Sequence, residues 1–175
     1  NLAYTEEDFT NPLGVYGASK LAGDELALEV NPCSVILRTS WVYSEFGKNF
    51  VKTMLSLFAT KEELNIVADQ FGQPTNANDL AEAIMKIIKS EKITPGIFNF
   101  SNLGRISWFD FAEKIAELSD AKIKLNAIET SQYPTPAKRP KNSVLDLGKI
   151  SKTYAIQLKP WEESIEDCVQ ILQNN

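Results

Sequence analysis

The sequence contains no histidine. That single absence removes histidine-based nucleophile activation, imidazole metal ligation and a histidine pH switch. Only two cysteines are present, Cys33 and Cys168. They stand too far apart in sequence for a metal or redox spacing, and each reads as a small buried hydrophobe. No apolar run approaches the ~20 residues a membrane span needs, so no membrane association is expected. The net charge of -5 in 175 residues gives no basic surface for nucleic acid. No signal peptide is expected, and the expected location is the cytoplasm. Eight glycines are present, yet none forms Gly-x-Gly-x-x-Gly after a strand. Gly14, Gly17 and Gly23 have the wrong spacing and fall on a helix. The phosphate-cradling turn of a dinucleotide fold is therefore lacking.

What is present is an ordinary globular composition, 43% hydrophobic and 23% charged, and one chemically suggestive stretch, Tyr16-Gly17-Ala18-Ser19-Lys20. On a helix, positions i and i+4 share a face. A free tyrosine titrates near pH ~10, and a cation held beside a phenol favours its ionised form. Such a pair can serve as a general acid toward a carbonyl being reduced. The spacing alone is equally that of an ordinary surface helix.

In chain order, the acidic segment Glu6, Glu7 and Asp8 reads as a solvated loop. A helix follows from Gly14 to Val30, with Ala18, Leu21, Ala22, Leu26 and Val30 as its apolar stripe. Cys33 to Arg38 reads as a buried parallel strand. Thr39 to Tyr43 lies beyond its carboxyl end, where doubly wound sheets bind ligands. A helix is expected from Phe50 to Thr60, strands at Leu64–Val67 and Ile97–Phe100, and a loop at Asp69–Thr75. Asn78 or Asp79 is expected to cap a helix to Ser90, and Ser107 one to Leu118. Lys122–Ile128 reads as a strand, and Pro134, Pro136 and Pro140 as a loop carrying Lys138, Arg139 and Lys141. Asp146–Tyr154 reads as a short helix, and Pro160 as the first residue of the last one. Strands alternating with helices predict an α/β fold with a largely parallel sheet.

Four blocks together carry a resemblance: Tyr16-Gly17-Ala18-Ser19-Lys20, Arg38-Thr39-Ser40-Trp41-Val42-Tyr43, Asp69-Gln70-Phe71-Gly72-Gln73-Pro74-Thr75, and Arg139 through Asp146. In order and separation they resemble the dTDP-4-dehydrorhamnose reductase branch of the extended short-chain dehydrogenase/reductases. The resemblance implies the C-terminal part of a Rossmann-like doubly wound parallel sheet plus a small α/β substrate-binding domain. Residues 1–60 would continue the dinucleotide-binding domain, and 61–175 would mostly bind substrate. The glycine-rich turn, and with it the main NADPH or NADH site, would lie in an N-terminal half that acts as this chain's partner.

By the same resemblance, Tyr16 is the proton donor to the sugar C4 oxygen and Lys20 contacts the nicotinamide ribose. Thr39 is implied as a cofactor contact. Trp41 is the sugar-contacting aromatic, or else a core tryptophan at a strand end. Asn49 hydrogen-bonds the nucleotide sugar, or else caps the helix at Phe50. Arg139 pairs with the substrate pyrophosphate, or else belongs to a solvated basic loop. Family members that bind a divalent metal at a dimer interface place a glutamate where this sequence has Asn78. A neutral amide is the poorer ligand for a hard cation, so no metal is expected. A homo-oligomer held by other contacts is compatible with the sequence. The competing functions are a non-catalytic binding or regulatory subunit of this fold, and an epimerase or dehydratase of the same superfamily.

Overall fold

The computed structural model describes residues 3–174. Among the described residues, six α-helices, eight short strands and one 3-10 turn follow one another. Helix α1 (Val15–Val30) leads to β1 (Val35–Arg38) and β2 (Val42–Tyr43), then α2 (Phe50–Phe58). Strands β3 (Glu63–Val67), β4 (Phe71–Gly72) and β5 (Thr75–Asn76) precede α3 (Ala77–Ile88). Next come β6 (Gly96–Asn99), β7 (Ile106–Ser107), α4 (Trp108–Leu118) and β8 (Lys124–Ile128). Helices α5 (Gly148–Tyr154) and α6 (Trp161–Gln173) close the chain.

The strands pair two by two. β1 with β6, β2 with β5, and β3 with β8 are parallel, whereas β4 with β7 is antiparallel. The expected α/β architecture with parallel pairing is what forms. The longest ladder runs from Glu63 opposite Lys124 to Val67 opposite Ile128. Its register places Lys124 Nζ 3.2 Å from Glu63 and joins Asn126 to Asn65 at 3.1 Å.

Two apolar clusters form the interior. The larger packs Tyr43, Val51 and Met54 against Phe111 and Ile115 of α4 and Ile165 and Val169 of α6. The smaller gathers Ala83 and Ile87 of α3 with Phe98, Phe100, Ile150 and Tyr154. These helices bury one stripe each, as a 3.6-residue apolar period requires. Helix α4 starts where Ser107 and Asp110 form a capping box, each side chain bonding the other's backbone N–H at 3.1 and 2.8 Å.

Several expectations are corrected. Asn76, not Asn78 or Asp79, caps α3, accepting from the Asn78 N–H at 2.8 Å. Pro160 precedes the last helix as its cap, and Trp161 is the first helical residue. Cys168 is buried as expected, but Cys33 is exposed, because the turn after Asn31 and Pro32 delays β1 until Val35. The half-buried face of α1 runs through Gly17, Leu21, Asp24 and Leu28. Ala18, Ala22, Leu26 and Val30 point to solvent, and the helix buries no residue.

The acidic lead-in is solvated at Glu7 and Asp8, which are exposed, whereas Glu6 is half-buried against the fold. Glu6 accepts from the Asn99 N–H at 2.8 Å, Glu7 lies 3.3 Å from Lys149, and Asp8 accepts from the Thr5 N–H and hydroxyl. The Asp69–Thr75 segment contains β4 and the first residue of β5 rather than being a loop throughout. Among the described residues no helix is long and apolar enough to cross a membrane.

Candidate functional site

Tyr16 and Lys20 stand one turn apart on α1. The Lys20 ammonium lies 5.7 Å from the centre of the Tyr16 ring, within the range of a cation–π contact. Tyr16 is 78% exposed, so its hydroxyl is open to an incoming molecule. The helix start has no side-chain cap. Pro12 packs on Gly17, where a Cβ would come within 3.2 Å of the proline's own. An ion pair from Asp24 to Arg38 Nε, 2.8 Å, ties α1 to the end of β1. Arg38 thus opens its sequence block in a structural role.

The other three blocks fold against one another. Thr39 Oγ1 donates to Thr75 Oγ1 at 3.0 Å, and Thr75 Oγ1 donates to the Ser40 carbonyl at 2.6 Å. Ser40 Oγ donates to the Gln73 carbonyl at 2.7 Å. On the far side of the same segment, the Ser143 N–H donates to the Phe71 carbonyl at 2.8 Å. The Leu145 N–H donates to Gln73 Oε1 at 2.7 Å. Asp69 accepts from both the N–H and the hydroxyl of Thr130, at 2.8 and 2.6 Å. Those bonds, chiefly the Thr130 hydroxyl's, hold the Asp69 carboxyl below the usual range. Residues 69–75 are therefore a spine to which 39–41, 130 and 143–145 are stitched.

Trp41 sits at the join. Its backbone is left-handed, φ 48°, and its indole stacks on Trp108 with centroids 3.6 Å apart and planes 12° apart. Phe50 tilts against Trp108 at 4.7 Å. Gly72 is required beside it: a Cβ there would stand 2.5 Å from Trp41 Cε2. Arg105 lies 3.7 Å over the Phe71 ring. Arg139 is exposed in the loop that leads into Ser143.

Asn49 occupies the cap position of α2. Its carbonyl oxygen accepts from the Lys52 N–H at 3.2 Å and its amide donates to the Ser44 carbonyl at 2.7 Å. The capping alternative weighed for Asn49 describes that geometry. Asn78 donates toward the Glu45 carboxylate at 3.4 Å. No hydrogen bond or ring contact joins Tyr16 or Lys20 to Trp41, Asn49 or Arg139 among the described residues.

Beneath this surface lies a buried polar knot. Asp79 accepts from Lys159 Nζ at 2.7 Å, from Asn102 Nδ2 at 2.7 Å and from Ser164 Oγ at 2.5 Å. Burial pushes its carboxyl up, but the bonds from Lys159, Ser164 and Asn102 outweigh that and hold it below the usual range. Asp79 in turn raises the Lys159 ammonium. Burial also pushes the Cys168 thiol up to about 11, which leaves it unreactive at neutral pH.

Trp108 and Arg105 carry no expectation from the sequence, Gly72 enters only as one member of its block, and Asp79 only as a candidate helix cap.

Three comparisons bear on the site. The RmlD substrate binding domain family matches residues 1–174. A dTDP-4-dehydrorhamnose reductase of Sinorhizobium fredii is 46% identical over 97% of this chain and 60% of its own length. A crystal structure of such a reductase from Clostridium acetobutylicum superposes with a TM-score of 0.93 at 38% identity, over 99% of this chain and 61% of that one. One from Bacillus anthracis, in complex with NADP, gives 0.92 at 37% identity, over 97% of this chain and 59% of that one. The chain spans about 60% of the length of the curated relatives it matches.

Proposed function

The chain belongs to the RmlD substrate binding domain family, and from that premise we propose that it is the sugar-nucleotide-binding portion of a dTDP-4-dehydrorhamnose reductase. The reaction is reduction of the C4 keto group of dTDP-4-dehydro-L-rhamnose to the alcohol of dTDP-L-rhamnose. The observation that carries this reading is the Tyr16–Lys20 pair, with phenol and ammonium 5.7 Å apart on an exposed helix face.

The pair fits the nicotinamide end of NADPH or NADH. It offers a cation and a hydroxyl, both open to solvent, to the ribose. No glycine-rich phosphate turn stands beside it among the described residues, so the phosphate end belongs to a further N-terminal portion. When bound, the reduced nicotinamide supplies the hydride. Tyr16 Oη donates its proton to the C4 oxygen as the carbonyl carbon gains that hydride, so the product is a neutral alcohol and a phenolate. Lys20 places a positive charge beside the phenolate and hydrogen-bonds the ribose. Thr39, locked to Thr75, shapes the end of β1 near the cofactor.

Trp41 contacts the sugar through an indole that offers both an apolar surface and an N–H donor. Arg139 pairs with the pyrophosphate, for which the guanidinium fork is suited. Asn49 supports the nucleotide sugar from the start of α2. The chain by itself has no turnover in this reading, since hydride donor and acceptor cannot be brought together on it. The protein acts in the cytoplasm.

The test is Tyr16→Phe in the full-length protein. Loss of a general acid costs about 10²–10⁴ in kcat, while KM and NADPH affinity should stay within about twofold. Unchanged turnover of dTDP-4-dehydrorhamnose would remove Tyr16 from the chemistry.

A further inference from the structure

A tryptophan with a left-handed backbone persists only where its surroundings hold it. At Trp41, φ is 48°, and three restraints converge. The first is the backbone. The Trp41 carbonyl accepts from the Thr75 N–H at 3.2 Å, and the neighbouring Ser40 is bonded at both its carbonyl and its hydroxyl. The second is Gly72, which lets the indole approach to a distance that any side chain would block. The third is Trp108, which covers the indole at 3.6 Å in a near-parallel stack.

Trp108 is itself immobilised. It is the first residue of α4, its backbone is set by the Ser107–Asp110 capping box, and Phe50 lies against its ring. The backbone bonds and Gly72 fix where Trp41 sits. Trp108 adds a large flat partner that selects one plane for the indole.

We propose that Trp108 is a positioning residue for sugar-nucleotide binding, acting through the stack that fixes the plane of Trp41. This rests on the reading of Trp41 as the sugar contact. A pyranose recognised by an aromatic surface needs that surface oriented before it arrives. An indole free to change rotamer would lose that freedom on binding, and affinity would fall. Trp108 removes the freedom in advance. Its effect therefore appears in substrate affinity and not in proton or hydride transfer.

The experiment uses the full-length protein with dTDP-4-dehydrorhamnose, and reads both steady-state kinetics and circular dichroism. Two indoles stacked this closely couple their transitions and give a bisignate far-ultraviolet band. Trp108→Leu should abolish that band and raise KM by roughly three- to tenfold, the range of a stacked aromatic pair. The change in kcat should stay within about twofold. Trp108→Phe should abolish the band, yet raise KM by about twofold only, because a ring still faces Trp41.

Trp41→Ala should raise KM at least as much as Trp108→Leu does. Adding Trp108→Leu to it should bring no further loss, since a residue that acts only through Trp41 has nothing left to act upon. A KM that rises in Trp41→Ala but not in Trp108→Leu overturns the inference and spares the sugar-contact reading. Additive losses overturn it as well. A Trp41→Ala variant with unchanged KM removes the sugar-contact reading and the inference with it. Should Trp108→Leu fail to fold, the Trp41→Ala, Trp108→Phe cycle decides by the same additivity criterion.

Discussion

Replacing Asp79 by alanine should destabilise the fold by about 3 kcal/mol. Asp79 is 9% exposed, and two of its donors, Asn102 at 1% and Ser164 at 3%, are more deeply buried still. Truncation leaves the Asn102 amide and the Ser164 hydroxyl without their carboxylate acceptor. A buried donor left in that state costs about 1–3 kcal/mol. Asn102 Nδ2 keeps one contact, to Ser164 Oγ at 3.0 Å, so the lower half of that range applies to each. The Lys159 side chain is 46% exposed and can turn to water, so its loss adds at most about 1 kcal/mol. For a chain of this size about 3 kcal/mol lowers the melting midpoint by roughly 6–12 °C. Thermal and urea unfolding read it directly.

The pH dependence carries a sign. The folded Asp79 carboxyl is depressed below its usual range. Its contribution is therefore fully present above the unfolded value of ~3.9 and is lost as pH falls through the lower folded value. The stability gap between the natural chain and Asp79→Asn should be wide at neutral pH and narrow below pH ~4. A loss under about 1 kcal/mol at neutral pH, or a gap that stays constant into acid, would refute the role given to this knot.

Two further outcomes are expected. The 175-residue chain alone should show no micromolar binding of NADPH by calorimetry; such binding would place the phosphate site within it. Magnesium and chelator should leave the sedimentation of the protein unchanged, because Asn78 faces Glu45 as an amide; a dimer that dissociates only on chelation would contradict this.

The sequence showed the helices well where an apolar period coincided with a capping residue. α4 is the clearest case, since Ser107 and Asp110 announce their box three residues apart. It showed the two-residue strands poorly. β2, β4, β5 and β7 are held by partners distant in sequence, such as Ile106 opposite Gly72, and no local pattern of two residues can signal that. The face of α1 was misjudged because Leu26 and Val30 look like core residues in a linear reading. In the fold, the Asp24–Arg38 ion pair and the Gly17–Pro12 contact turn a different face inward. Tyr16 and Lys20 stood out through type and spacing, and Trp41 and Arg139 through the resemblance of their blocks. Trp108 did not, since its importance lies in touching Trp41 from a distant element, and Gly72 showed as a block member without its contact to Trp41.

The placement of α1 bears most directly on how the proposed reaction is organised. Most helical stability in proteins comes from packing an apolar face. Yet α1 has only a half-buried face and no fully buried residue, and Val15, Leu26 and Val30 are 87%, 59% and 77% exposed. The Arg38–Asp24 pair, with side chains 25% and 22% exposed, is a single partly buried tether. In the proposed reductase, whatever covers Leu26 and Val30 also fixes the distance from Tyr16 Oη to the sugar that Trp41 holds. Burial of α1 and completion of the catalytic geometry are then a single event. The substrate side needs no such event, because the spine at 69–75 already bonds residues 39–41 and 143–145 within the chain. In the proposed reductase, then, sugar recognition is built into this chain and proton transfer waits on the surface that closes over its first helix.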